Sequence, residues 1–369
     1  MQLTNPFYVS KSAKKNTHYR FPSFTLLLVL MTILFTVSCT KSDDEDDQSL
    51  FQNSGLLVVN EGPFQTGTGT IDFIDMTTGR VKTNLFSEAN DGQILGNIAQ
   101  SLLIQGDTTY IVVNNANKVV LVDTETFRFI GEIGQLPQAR FIHVEGSTAY
   151  VSCWGDGFEG KIAVIDLNTL SETQSFPASG PEQFMKSGDF LFVTLTGGFG
   201  NSNKLGRIHL RDQVFTEEFT LSDRPTWMAQ GLGNNQFYIL CSGFNDFAGT
   251  VTKGALWKFE NGQVTQVATA ENGAGQLTFI PSASGELAWL EGNTLVKYRT
   301  LSESKEKTSL DLVAPRAMTA ITFENTLAIA NAVDFNSAGK VYLYDTDNLT
   351  PRDTFDVGII PNQLIYILK

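Results

Sequence analysis

Glutamine recurs at one place in a repeating pattern of this 369-residue chain, and aromatic residues recur at another. Gln100, Gln138, Gln183, Gln276 and Gln363 each stand where a polar link gives way to an apolar run, and Trp227 and Arg316 hold that place in two further units. A second set falls in turns after an apolar run: Asn60, Glu61 and Phe64; Asn114 and Asn115; Trp154 and Phe158; Phe199; Phe244 and Asn245; Phe335. Amides carry both a donor and an acceptor, so they suit a ligand rich in carbonyl and amide groups. Aromatic faces beside them make a platform that orients a ligand without transforming it. Each residue also has a plain structural use. Aromatics in turns pack on neighbouring elements, and glutamines tie loops to the backbone.

Catalytic chemistry has less to work with. Beyond residue 38 the histidines are His143 and His209, both inside apolar strand-like runs. No Gly-x-Ser-x-Gly elbow, P-loop or dinucleotide fingerprint occurs. Glu61, Asp156, Glu182, Asp246 and Asp334 fall near the same turns. They leave open a calcium site or a carboxylate-activated water, but the expectation is a non-enzymatic protein without metal or cofactor. Cys153 and Cys241 lie in different repeats, without the spacing of a zinc site.

The elements that position these residues repeat every 39 to 49 residues, counted from Asp75 through Asp123, Asp166, Leu210, Phe259, Tyr298 and Asp345. The clearest unit reads Thr109-Tyr110-Ile111-Val112-Val113-Asn114, then Lys118 to Thr126, then Gly134 and Pro137. Short β-branched and aromatic runs bounded by turn residues are strands. Seven such units predict an all-β, seven-bladed propeller of four-stranded blades over residues 54–369. The run Pro361-Asn362-Gln363-Leu364-Ile365-Tyr366-Ile367 looks like the start of a unit with nothing after it, while the first repeat lacks such a start. The C-terminal strand is therefore expected to complete the first blade and remove an open sheet edge.

Residues 1–38 have the layout of a secretory signal. A stretch holding Lys11, Lys14, Lys15 and Arg20 precedes the short apolar run Phe24 to Val37. Small Ser38 before Cys39 predicts lipoprotein cleavage with lipid on Cys39. Residues 39–53, with Asp43-Asp44-Glu45-Asp46-Asp47, make an acidic tether. Removing residues 1–38 leaves 22 basic against 39 acidic residues, a net charge of −17. That argues against nucleic acid as a partner, because affinity there rests on basic residues at phosphates.

The Lys41-Ser42-acidic run resembles the surface-export tether of Bacteroidetes lipoproteins. The repeat resembles the YVTN-type propeller repeat: tyrosine-valine-x-asparagine, a valine-rich strand ending in aspartate-x-x-threonine, then glycine-x-x-proline. The tether, the Asn60-Glu61-Gly62-x-Phe64 opening and the amide-aromatic face together resemble the cobalamin-capturing surface lipoproteins of Bacteroidetes. The resemblance implies an outer-membrane, outward-facing location and hand-over of a corrinoid to an energy-coupled outer-membrane transporter. Rival readings are another ligand (a siderophore, haem or a glycan) or a propeller lactonase or hydrolase. The anchoring expectation is tested by Cys39→Ala, which should release the protein from the membrane fraction. Continued partition with membranes would contradict it.

Overall fold

The computed structural model describes residues 49–282, 285–321 and 324–369. The predicted signal peptide, Cys39 and residues 39–48 of the tether lie outside the described residues. Among the described residues twenty-eight strands form seven antiparallel four-stranded sheets. The innermost strands are β4 (Ala99–Gln105), β8 (Ala139–Glu145), β12 (Pro181–Ser187), β16 (Pro225–Gln230), β20 (Gly275–Ile280), β24 (Pro315–Ile321) and β28 (Pro361–Ile367). Each contacts the next, and β28 contacts β4, so the ring is closed. Among the described residues no helix is long and apolar enough to cross a membrane.

The blades need one another because both faces of each are apolar. Side chains alternate across a strand. In β1 (Gly55–Asn60), Leu57 and Val59 join the cluster with the second blade, while Leu56 and Val58 join the cluster with the seventh. Seven such clusters fill the seven seams. Burial on both faces explains why these strands read as continuous apolar runs instead of alternating ones.

The recurrent aspartate closes the turn after the third strand. One Asp123 carboxylate oxygen accepts the Glu125 and Thr126 N–H groups and the Thr126 hydroxyl. Asp75 and Asp345 take two backbone N–H groups each in the same way. This side-chain mimic of a turn favours aspartate at that position. The first blade departs from the pattern. Its outermost strand, β3, is only Val81–Lys82, followed by a short helix α1 (Leu85–Ala89) that the sequence reading did not anticipate. Leu85 and Phe86 are buried with Phe51, Phe73 and Phe127. The carboxylate of Asp72 accepts the N–H groups of Asn84 and Gly358 and the Asn60 amide, joining the loop before α1 to the seam with the seventh blade.

The first blade is ordered β28, β1, β2 (Thr70–Asp75), β3, so the C-terminal strand is its innermost strand, as expected. β28 runs antiparallel to β1 from Gly55 opposite Ile367 to Asn60 opposite Pro361. Deleting Pro361 to Lys369 would uncover Leu56 and Val58 and remove Leu364, each burial worth about 1.5–3 kcal/mol. That is a large share of a total stability of about 5–15 kcal/mol. The expected result is insolubility or a melting temperature lower by roughly 10 °C or more. An unchanged melting curve would contradict the closure.

Candidate functional site

All seven innermost strands carry the same irregularity near their starts. Ala99 opposes Val113 but Ser101 opposes Val112, which leaves Gln100 as an extra residue. The register also slips by one residue in β8, β12, β16, β20, β24 and β28. Such a β-bulge breaks side-chain alternation and re-aims a side chain. Here the second residue of every innermost strand lines one cavity: Gln100, Arg140, Glu182, Thr226, Gln276, Arg316 and Asn362. The cavity measures about 580 Å³ and is also lined by Glu61, Phe64, Asn114, Trp154, Arg224 and Trp227.

Glu182 anchors the ring and is only 3% exposed. Its carboxylate accepts three bonds from Arg140, at 2.7, 3.0 and 3.2 Å. Arg140 also donates to the Gln100 side-chain Oε1 at 2.5 Å and lies 4.3 Å from the centre of the Trp154 ring. Trp154 in turn donates its indole N–H to the Pro181 carbonyl. At the seam between the first and seventh blades, one Glu61 oxygen accepts from Arg316 at 3.0 Å and Asn362 at 3.1 Å. The Arg224 guanidinium donates to the carbonyls of Gly198 and Gly200. Burial holds its pKa below the ordinary value, Glu182 opposes that shift, and neighbouring Arg140 adds to it.

The sequence-selected residues divide. Glu61, Phe64, Gln100, Asn114, Trp154, Trp227, Gln276 and Arg316 line the cavity. Gln183 and Gln363 lie deeper, in a hollow of about 130 Å³. Their side-chain Oε1 atoms accept the N–H groups of Met228 and Leu102 on the following innermost strands. These two glutamines tie blade to blade. Phe199, Phe244 and Asn245 line an adjoining hollow of about 390 Å³ that shares Trp154 and Arg224 with the main cavity. Phe158 packs edge-on against Phe199, and the Arg316 guanidinium lies 5.8 Å from the Phe335 ring centre. Asn60 is fully buried and spends its amide on Thr70 and Asp72. Asn115 bonds Asn97, and Gln138 precedes its strand with its N–H on Asn117. These three do not line the described cavities.

Sequence reasoning missed Arg140, Arg224, Thr226 and Asn362. The readable signal was position: the residue after the alanine, glycine or proline that opens each innermost strand. Following glutamine instead slid the register by up to two residues. Of the carboxylates placed near the rim, Asp156, Asp246 and Asp334 each accept N–H groups of their own loops. Among the described residues no group of three His, Cys, Asp or Glu side chains is placed to hold a metal ion. Cys153 and Cys241 are buried free thiols, and burial pushes the Cys153 thiol up to about 12. His143 sits near the opposite end of β8 beside Glu145, where burial lowers its pKa.

Residues 54–192 match a family model described as a domain of unknown function, DUF5074. No curated protein matches the chain. Among solved structures, the periplasmic gluconolactonase PpgL of Pseudomonas aeruginosa superposes with a TM-score of 0.62 at 17% identity, covering 85% of this chain and 99% of that one. A quinonprotein alcohol dehydrogenase-like protein of Bacteroides thetaiotaomicron gives 0.62 at 12% identity, covering 85% and 78%. Apo AztD of Citrobacter koseri gives 0.52 at 9%, covering 85% and 97%. At these identities the likeness is one of fold.

The Arg140–Glu182 pair yields a stability test. Removing one partner of a buried ion pair strands the other and costs about 3–5 kcal/mol. Glu182→Leu should therefore lower unfolding stability by that order in urea titration. Lys186→Gln, which breaks the exposed pair with Glu145, should cost under about 1 kcal/mol. Equal effects would contradict the role given to Glu182.

Proposed function

We propose that this protein captures a small molecule in the mouth of its propeller and does not transform it. The observation that carries the reading is the ring of seven polar side chains, one from each innermost strand, around an open cavity with aromatic walls. Such a cavity recognises many polar groups at once and fixes orientation through a few of them. Glu61 and Glu182, the carboxylates that line it, are engaged by arginines. They serve as ion-pair partners, not as free bases. Phe64, Phe158, Phe199 and Phe335 are exposed around the mouth, and Phe247 is 93% exposed. Flat faces there extend the platform beyond the cavity.

A ligand with many amide and carbonyl groups on a broad ring would occupy the central cavity and the adjoining hollow together. Cobalamin is the member of that class put forward here. Lipidation at Cys39, an outward-facing outer-membrane location and delivery to an outer-membrane transporter belong to the same proposal, supported by the signal and tether in the sequence. The rival reading is lactone hydrolysis. The periplasmic gluconolactonase of Pseudomonas aeruginosa motivates it, through likeness of fold alone.

Calorimetry on residues 48–369 decides between them. Cobalamin should bind without added metal or cosubstrate. Trp154→Ala and Gln276→Ala should each lose a contact worth about 1–3 kcal/mol, or roughly tenfold or more in affinity. Glu145→Ala, at the far end of β8, should bind as the parent does. Absence of heat with cobalamin would overturn the ligand, and turnover of gluconolactone by the same preparation would overturn the non-catalytic reading.

A further inference from the structure

The charged side chains that line the main cavity are Glu61, Glu182, Arg140, Arg224 and Arg316. Three cations face two carboxylates, so the cavity carries a net positive charge in a chain whose formal net charge is −13. The surplus can be assigned. Glu182 is saturated by Arg140, and Glu61 is shared by Arg316 and Asn362. Among the described residues the Arg224 guanidinium makes no direct ion pair, and Glu182 acts on it only at a distance. Three of its hydrogen bonds go to the carbonyls of Gly198 and Gly200, and a guanidinium has about five N–H donors. Donors therefore remain on a half-buried cation that lines both the main cavity and the adjoining hollow. Trp154 lines the same shared wall and carries the Arg140 guanidinium on its face.

A guanidinium held in place by backbone carbonyls keeps its charge and its planar fork. That fork matches carboxylate and phosphate oxygens. A cation without a directly paired carboxylate in a concave, partly desolvated wall is only partly compensated, and an incoming anion relieves that cost.

We propose that the captured molecule bears an anionic group, a carboxylate or a phosphate, that docks on Arg224 at the wall shared by the two hollows. This rests on the capture reading and names the chemical class of its ligand. It also predicts a polarity: the anionic group lies towards Trp154, and the uncharged remainder towards Gln276 and Asn362.

Trp154 and Trp227 line the cavity, so intrinsic fluorescence reports on it. The purified protein is titrated with sodium phosphate and separately with sodium gluconate, at ionic strength held constant with chloride. The expected result is a saturable change with at least one anion that chloride does not produce, and the better anion tells phosphate from carboxylate. Arg224→Gln should weaken that binding at least tenfold, and Arg224→Lys should restore part of it. Melting curves establish that the variants are folded. If Arg224→Gln fails to fold, the wild type still decides, because the active anion should compete with cobalamin at constant ionic strength. No saturable response to either anion, or unchanged binding in folded Arg224→Gln, overturns the inference. Cobalamin binding that persists in Arg224→Gln and resists both anions would overturn it while leaving the capture reading intact.

Discussion

The structure depends on blades that cannot stand alone. Every central strand is apolar on both faces, so each sheet must be covered on both sides by another like it. A row of such sheets ends in two bare faces unless it closes, and closure needs the last strand of the chain to sit inside the first blade. The pairing of β28 with β1 meets that need. It also places Asn362 and Glu61 side by side at the closing seam, with Arg316 of the seventh blade on the same carboxylate. The constraint that closes the fold thus completes the ring that lines its mouth.

The second element is the repeated bulge. A regular innermost strand would alternate between its two seams and offer the channel little choice of side chain. One extra residue near the start of each strand frees a position from packing. That position is polar in all seven blades, yet it is glutamine twice, arginine twice, and glutamate, threonine and asparagine once each. Packing accounts for the strands beneath it, while the variety at the bulge is what a binding surface requires. The Arg140–Glu182–Gln100 network shows that part of the ring is internally neutralised. Arg224 is the part that is not.

The fold was legible in the chain because its signals are repetitive and local. Strands buried on both faces read as unbroken β-branched runs, and Asp75, Asp123, Asp166 and Asp345 mark turns that their own side chains hold. Closure was legible in Pro361 to Ile367, a unit start without a unit. The mouth was only half legible. Glutamine identity led correctly to Gln100 and Gln276, but it also led to Gln138, outside the cavity, and to Gln183 and Gln363, which brace the next strand. The bulged residue has no fixed type, so only its place after the strand-opening alanine, glycine or proline marks it, and a slip of one residue exchanges faces. Asn60 misled for a similar reason. It stands at a turn, where asparagine could face a ligand, but it is consumed by buried Asp72. Helix α1 escaped notice because five residues are too few to show a helical period.

The central claim is that the bulged position in each blade faces one ligand-holding mouth. Thiol labelling of Gln276→Cys in residues 49–369, which exclude Cys39, tests it most directly, because Cys153 and Cys241 are buried and their thiols are held protonated. The introduced thiol should react readily with a maleimide while Cys153 and Cys241 stay silent. Saturating cobalamin should then slow the reaction at least tenfold. Rapid labelling that bound cobalamin leaves unchanged would contradict it.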